Sequence, residues 1–194
     1  DEAIEYIKKS SEKYDINDMF VSFSGGKDST VVSHLVIRAL ATNDILHIFG
    51  DTTLEFKETY KYIKEFKRKN PNIIVRTVKN KEKDFEDLTI NTFGPPSRLM
   101  RWCCTIFKTG PISKKLDALF KDKKSILTFY GIRKSESVAR SKYERDYDSP
   151  KILKQKVRGP IFFWKDAEVW LYILSNNVLI NNAYRQGYRR VGCW

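Results

Sequence analysis

The chain has 194 residues, enough for one domain with a sizeable core, and 41% of them are hydrophobic, which excludes a disordered protein. Lysine and arginine outnumber aspartate and glutamate by 36 to 24, and the net charge of +12 favours an anionic partner, either nucleic acid or a phosphorylated small molecule, or reflects only a solvated basic face. Three cysteines exclude a disulfide-rich secreted scaffold and favour reduced thiols in a cytoplasmic protein.

No apolar run is long enough to span a membrane. The longest apolar helix candidate, Val31 to Ala41, is interrupted by His34 and Arg38. The sequence opens at Asp1 without a methionine or a basic-then-apolar leader, and it stops one residue past a cysteine. We therefore expect a piece of a longer protein, trimmed at both ends.

The order of helices and strands predicts the fold class. Continuous apolar runs indicate strands at residues 19–23, 45–49, 73–75 and 126–130. Apolar residues at helical spacing indicate helices at residues 2–13 and 31–40, around 60–66 with an end near Asn70–Pro71, and after Pro111, while residues 91–101 form a loop. Strands that alternate with helices predict a single α/β domain, with a doubly wound, mainly parallel sheet covered by helices on both faces.

In such sheets ligands bind beyond the carboxyl ends of the strands. Three polar segments follow predicted strands directly: Ser24–Ser29, Asp51–Thr52 and Gly131–Arg133. Gly25 and Gly26 allow a sharp turn that brings amide groups close to an anion, and the helix that follows directs its positive end to the same place. Lys27 adds a cation or points outward. The spacing is not that of a Walker loop.

The string Ser24-Gly25-Gly26-Lys27-Asp28-Ser29 resembles the PP-loop of the adenine nucleotide alpha-hydrolase superfamily. Further segments, in chain order, resemble the phosphoadenosine-phosphosulfate and adenylyl-sulfate reductase branch of that superfamily. They are Asp51-Thr52-Thr53 with Glu58-Thr59-Tyr60, Arg101-Trp102-Cys103-Cys104, Gly131-Ile132-Arg133 with Glu136-Ser137 and Arg140, Pro160-Ile161 with Trp164 and Val169-Trp170, and Gly187-Tyr188 with Arg190-Val191-Gly192-Cys193.

The resemblance implies an adenine nucleotide, the substrate, held across the strand ends, with Asp51 beside it and with Arg133 and Arg140 facing its anionic tail. It also places residues 160–194 so that Cys193 approaches Cys103 and Cys104. The positions implied in nucleotide or phosphate binding are Ser22, Ser24, Gly25, Gly26, Lys27, Asp28, Ser29, Asp51, Thr52, Lys108, Gly131, Arg133 and Arg140.

The cysteines suggest a metal centre. In the cluster-bearing adenylyl-sulfate reductases a Cys-Cys pair joins a later Cys-x-x-Cys to hold a four-iron cluster, so Cys103, Cys104 and Cys193 are expected ligands in the full-length protein. A zinc site or buried free thiols are the alternatives. Two departures weaken the expectation of redox activity: the nucleophilic cysteine of those reductases lies in a C-terminal tail that this sequence lacks, and Thr53 replaces their common glycine.

Two functions share this pocket. The first is sulfonucleotide reduction, in which a cysteine thiolate attacks the sulfur of adenylyl sulfate or its phosphorylated form, and a thiol reductant such as thioredoxin releases sulfite. The second is an ATP pyrophosphatase-type sulfurtransferase, which binds ATP with magnesium and adenylates a target for thiolation, for example a nucleic acid that contacts the basic stretch Arg185–Arg190. A non-catalytic nucleotide-binding module is a third possibility.

Overall fold

The structure is a computed structural model that describes residues 2–97, 99–152 and 154–192. Its helices are α1 (Glu2–Ser11), α2 (Lys27–Leu40), α3 (Lys57–Lys69), α4 (Phe85–Leu88), α5 (Trp102–Cys104), α6 (Gly110–Leu119) and α7 (Asp166–Ser175). Its strands are β1 (Met19–Ser22), β2 (Leu46–Asp51), β3 (Val75–Lys79), β4 (Ile126–Tyr130), β5 (Asp146–Asp148) and β6 (Gln155–Arg158). None of the described helices is long and apolar enough to cross a bilayer.

The six strands form one sheet in the order β3-β2-β1-β4-β6-β5. Every neighbouring pair is parallel except β5 and β6, which are antiparallel. The chain order reverses between β1 and β4, and this switch point places the ends of those two strands at a ligand-binding crevice. The expected doubly wound, mainly parallel sheet is confirmed.

Alternate side chains of each strand enter different cores, so the sheet is covered on both faces. Val21 and Phe129 pack with α1, α2 and α7 in the largest cluster. Phe20 and Ile126 point the other way and pack with Leu116 of α6. Helix α3 covers the end of β1 and β2 through the cluster of Phe23, Phe49, Tyr62, Ile63, Phe66 and Ile73.

The prediction for the third strand is wrong in position. Residues 73–75 were expected, but β3 runs from Val75 to Lys79. Ile73 belongs to a turn, where its amide donates to Asn70, and its side chain is buried under α3. The strand continues to Lys79 because it pairs with β2 as far as Asp51. Three of its five residues are polar and exposed, so the strand does not form a continuous apolar run in the sequence.

Other boundaries differ less. Helix α1 ends at Ser11 rather than at residue 13, β1 ends at Ser22, and β2 covers residues 46–51. The loop expected at residues 91–101 overlaps a π-helical turn, Thr89–Phe93, and only then becomes irregular. Strands β5 and β6 and helix α7 were not predicted as elements.

The two outer strands carry charge of opposite sign. Arg76 and Lys79 are exposed on β3. On β5, which has three residues, Asp146 and Asp148 are exposed. Asp148 forms an ion pair with Lys156 of β6, with 2.5 Å between the Lys156 Nζ and a carboxylate oxygen.

Candidate functional site

The loop between β1 and α2 turns on its glycine pair. Gly25 has a φ of +74°, which strains any residue with a side chain, and Gly26 is the residue that precedes the first turn of α2. A Cβ atom on Gly25 would lie 3.3 Å from Thr59, Tyr62 and Ile63 of α3. The glycines therefore serve both the turn and the close packing of the loop on α3.

The serine hydroxyls stabilise the loop from within. The Ser29 hydroxyl donates to the carbonyl of Gly26 at 2.9 Å and accepts the amide of Ser24 at 3.2 Å. The hydroxyls of Ser24 and Ser29 are 3.1 Å apart. Ser29 thus uses its proton inside the loop. An anion is left with amides of the first turn of α2, which have no carbonyl partner four residues earlier in the helix, although the Lys27 amide already donates to Tyr184.

Four charged side chains close a ring at the start of α2. Lys27 Nζ lies 3.1 Å from an oxygen of Asp166 and 3.5 Å from Asp28. Arg133 contacts the same two carboxylates, at 2.5 Å for Asp28 and 2.8 Å for Asp166. The side chains of Lys27 and Arg133 are only 6% and 4% exposed, and each of these buried cations is paired with Asp28 and with the more exposed Asp166. This matches the rule that buried charges are paired.

This ring bears on two expectations. Lys27 does not point outward, because it is held by Asp28 and Asp166. Arg133, expected to face the anionic tail of the nucleotide, contacts the same two carboxylates while it lines the cavity. Burial alone would raise the pKa of Asp166, but the hydrogen bond from Lys27 and the charges of Lys27 and Arg133 outweigh burial and lower the pKa. The carboxyl group is therefore ionised, and the ring of two cations and two anions is neutral as a whole.

Gly131 allows β4 to reach the phosphate loop. A Cβ atom at this position would lie 2.7 Å from the carbonyl carbon of Asp28 and 2.7 Å from the amide nitrogen of Ser29. Both are backbone atoms of the first turn of α2 and cannot move aside as a flexible side chain would. A glycine is therefore required for the end of β4 to lie against the start of α2.

The C-terminal segment also contacts the loop. Asn181 is buried, and its amide nitrogen donates to the carbonyl of Gly25 at 3.4 Å and to the Thr59 hydroxyl at 3.2 Å. The amide of Lys27 donates to the hydroxyl of Tyr184 at 2.9 Å. These two residues tie the C-terminal segment to the loop.

Glu136 holds two arginines at once. One of its carboxylate oxygens accepts from Arg140 and the other from Arg190. Arg140 follows β4 in the chain, whereas Arg190 belongs to the C-terminal segment, so Glu136 joins two distant parts of the chain at the site.

These groups surround a cavity of about 1570 Å³, larger than the 300–1,000 Å³ that is usual for a small-ligand pocket. Its lining from the phosphate loop and the strand ends comprises Ser22, Ser24, Gly26, Lys27, Asp28, Ser29, Gly131 and Arg133. Cations that reach it from other segments are Arg101, Lys108, Arg140, Lys142, Lys151, Lys165, Arg189 and Arg190.

The segment after β2 lies partly beside this cavity. Asp51, expected next to the nucleotide, is not part of the lining, and one of its oxygens accepts from the Tyr60 hydroxyl and from the Thr53 amide, both at 2.8 Å. Thr52 is buried and donates to Glu55 at 2.9 Å. Glu55 does line the cavity, and burial raises the pKa of its carboxyl group.

The expected metal ligands are only partly within the described residues. Cys103 and Cys104 form one turn of α5, Cys104 lines the cavity, and Arg101 donates to its sulfur at 3.3 Å. Cys193 lies outside the described residues. Within residues 2–97, 99–152 and 154–192, no three side chains of Cys, His, Asp or Glu converge on a common point.

A four-iron cluster requires four thiolates, and this sequence has three cysteines in all. The two described thiols therefore do not fit such a cluster on their own. A cluster would need Cys193 and one further ligand that this sequence does not supply.

Comparison with known proteins agrees with the geometry. The family model described as the phosphoadenosine phosphosulfate reductase domain matches residues 18–194. The chain belongs to this family. Within the reductase-domain family, it is similar to an uncharacterised protein of Methanocaldococcus jannaschii, with 36% identity over 192 residues that cover 99% of this chain and 38% of that protein. It is 27% identical to an adenosine 5'-phosphosulfate reductase of Staphylococcus epidermidis, over 98% of this chain and 74% of the reductase.

Solved structures of this fold include a phosphoadenylyl-sulfate reductase from Candida auris in a phosphate complex, with a TM-score of 0.69 and 17% identity over 98% of this chain and 94% of that one. An FMN adenylyltransferase of Candida glabrata, solved with FMN and an ATP analogue, gives a TM-score of 0.75 at 17% identity. The match covers 98% of this chain and 62% of that one. These likenesses concern the fold alone. The chain spans about two fifths of the length of that Methanocaldococcus jannaschii protein and of a second uncharacterised protein of the same organism, 38% and 42%.

Sequence reasoning did not assign Asp166, Tyr184, Asn181 or Glu136 to the site. Glu136 belongs to the segment that follows Gly131–Arg133, but its residue type alone indicated no role. Asp166 lies two residues after Trp164, and an acidic residue at a helix start is common, so its position gave no distinct signal. Tyr184 and Asn181 contact the loop across more than 150 residues of sequence, a distance at which local patterns carry no information.

Proposed function

We propose that this domain binds a sulfonucleotide, an adenine nucleotide whose phosphate carries a sulfate, and serves its reduction. The observation that carries the proposal is that one cavity contains both the phosphate loop and the cysteine turn. Ser24, residues 26–29 and Gly131 line this cavity, and so do Cys104 and Arg101. The family of the domain supports the substrate class.

The charges around the cavity suit a ligand with several negative groups. Lys27 and Arg133 are already neutralised by Asp28 and Asp166. The loop therefore offers the amides and the positive end of α2 rather than a free cation. Three further cations of the cavity wall are Lys108, which is exposed, Arg140, which is paired with Glu136, and Arg101, which donates to Cys104. We infer that these three neutralise the sulfate and phosphate charge.

The chemistry proposed at this site is a displacement at sulfur. A cysteine thiolate attacks the sulfur atom, the bond between sulfur and the bridging phosphate oxygen breaks, and the nucleotide leaves with that oxygen and its electron pair. The cysteine then carries a thiosulfonate. A thiol reductant such as thioredoxin attacks the cysteine sulfur, sulfite departs, and a disulfide forms. The attacking cysteine belongs to the longer protein, and the domain positions the sulfur and stabilises the departing phosphate charge.

The competing assignment is ATP cleavage for thiolation of an acceptor. One observation favours it: Arg185 and Arg189 are exposed beside the site and could contact a nucleic acid. Such an enzyme needs magnesium held by carboxylates, whereas Asp28 and Asp166 each contact Lys27 and Arg133. We therefore expect binding that does not require magnesium.

The test uses the full-length protein with adenylyl sulfate, its 3'-phosphorylated form and ATP, with a thiol reductant and with or without magnesium. Sulfite and pyrophosphate are measured side by side. We expect sulfite from a sulfonucleotide in the absence of magnesium. Pyrophosphate from ATP without sulfite from either sulfonucleotide would replace the proposal with the thiolation assignment.

A matched pair of lysines tests the cavity itself. Lys108→Ala should weaken sulfonucleotide binding about tenfold, as expected for one lost charge-assisted contact. Lys114→Ala removes an exposed cation from α6 outside the cavity lining and should leave affinity unchanged. Equal affinities of the two variants, measured by calorimetry, would contradict the placement of the ligand.

A further inference from the structure

The hydroxyl of Tyr184 occupies a position where an anion would be expected. It accepts the amide of Lys27, the first residue of α2, at 2.9 Å. It also lies 3.3 Å from the point where a Cβ atom on Gly26 would stand. A tyrosine oxygen therefore lies at the positive end of the 14-residue helix α2, against the phosphate loop.

The Tyr184 hydroxyl has one proton to donate. A hydroxyl group can accept and donate at the same time. Tyr184 accepts from Lys27, and no acceptor contacts its O–H among the residues described. The side chain lines the cavity, so the unused proton is available to a ligand there.

Tyr184 is held firmly in this position. Its ring packs edge-on against Trp170 with centroids 5.4 Å apart, and the ammonium group of Lys27 lies 5.5 Å from the ring centroid. The short helical turn that carries it begins with Asn181, whose side chain caps Ala183 and binds the carbonyl of Gly25. Burial raises the pKa of the Tyr184 hydroxyl, so it stays protonated and remains a donor at neutral pH.

We infer that Tyr184 is an anion-binding residue of the phosphate loop. Its hydroxyl accepts the hydrogen bond of the Lys27 amide and donates its own proton to a phosphate or sulfate oxygen of the nucleotide. The inference rests on the proposed function, because it assumes that the anionic part of the ligand lies at the loop. It assigns the C-terminal segment a direct contact with the ligand.

The decisive experiment compares an anionic ligand with a neutral one. Calorimetry measures the binding of adenylyl sulfate, AMP and adenosine to the full-length protein and to its Tyr184→Phe variant. We expect the variant to bind adenylyl sulfate and AMP about tenfold more weakly, the loss of one hydrogen bond to a charged group. Adenosine lacks the anion and should bind both proteins equally.

Tyr172→Phe is the matched control. Its hydroxyl contacts His34 at 2.8 Å, at the junction of α2 and α7, and Tyr172 does not line the cavity. This variant should bind all three ligands as the wild type does. A comparable loss for adenosine in Tyr184→Phe would show a merely structural role and overturn the inference.

Two other results would also overturn it. Tighter binding of AMP by Tyr184→Phe would show that the hydroxyl competes with the anion for the Lys27 amide. Unchanged binding of all ligands would show that Tyr184 makes no contact. If the wild type itself binds none of the three ligands, the proposed function fails together with the inference. If the wild type binds and only the expected loss in Tyr184→Phe is missing, the inference alone fails.

Discussion

The two ends of the cavity are built differently. At the phosphate loop, distant segments meet: Gly131 contacts α2 through backbone, and Asp166 and Tyr184 contact Lys27. The cysteine end belongs to an insert, residues 80–109, with its own small core of Leu88, Trp102 and Phe107. Its exposed apolar side chains include Ile90 and Leu99, which is 99% exposed.

The phosphate loop and the cysteine turn are therefore positioned by different contacts. The loop is fixed by ion pairs, hydrogen bonds and close backbone packing from four parts of the chain. The insert is stabilised mainly by a stack in which Trp102 lies between Phe85 and Phe93, at centroid distances of 5.3 and 5.2 Å. Regions with few buried apolar contacts open at lower free energy than the core does.

The largest expected effect follows from removing that stack. Trp102→Ala should cost about 4 kcal/mol of local stability, the usual range for a buried tryptophan. Hydrogen exchange measured by mass spectrometry should accelerate in residues 85–107 and stay unchanged in residues 19–40. Trp164→Ala, which removes a tryptophan packed on the main core, should accelerate exchange in residues 19–40 instead. Acceleration of both segments by Trp102→Ala would show that the two regions are one unit.

A smaller effect is expected at the contact between β4 and the phosphate loop. Gly131→Ala places a methyl group 2.7 Å from backbone atoms of Asp28 and Ser29 and should destabilise the domain by about 3 kcal/mol, while abolishing nucleotide binding. Gly192→Ala is the control, since no atom of the described residues beyond its chain neighbours lies within 4 Å of its Cβ position. Urea unfolding measures both variants. Equal midpoints would refute the close approach.

The smallest of the three effects is a pH dependence of the free energy of unfolding that is expected for the main core and not for the insert. His47 of β2 is buried, and burial lowers its pKa to about 4. The folded protein therefore keeps His47 neutral, whereas the unfolded chain takes up a proton near pH 6.5, so stability falls as the pH is lowered through that value. Between pH 7.5 and pH 5 the loss is about 2 kcal/mol.

His47→Gln should flatten this dependence when unfolding free energies are compared at the two pH values. His34 is half-buried, and burial also lowers its pKa, so His34→Gln should remove only a smaller part of the loss. The insert, residues 80–109, contains no histidine, and its local exchange should respond little. An identical pH dependence in His47→Gln and the wild type would rule out His47 as the cause.

The sequence predicted what short-range patterns control. β4 was predicted at its observed bounds, and the strand–loop–helix arrangement around Gly25 and Gly26 followed from the apolar run and the glycine pair. β3 was misplaced because an edge strand exposes polar residues such as Arg76 and Lys79. β6 was missed because its four residues, Gln155–Arg158, include a single apolar residue, Val157.

The site was predictable where a motif is contiguous and not where it is assembled by folding. Ser24–Ser29 and Gly131 follow strands that end at the same edge, so their convergence could be foreseen. The ion pairs of Lys27 and Arg133 with Asp166 could not, since they depend on how α7 packs against α2. The role of Tyr184 depends on the same kind of long-range packing.

The charged outer strands have a consequence for how the domain behaves in concentrated solution. An open sheet edge can recruit a strand from another molecule and start aggregation. On β3 the cations Arg76 and Lys79 oppose the approach of a second basic β3, and β5 offers only three residues, with Asp148 engaged by Lys156. Raising the salt concentration screens the repulsion at β3 first. Storage at low ionic strength should therefore preserve the monodisperse protein for longest.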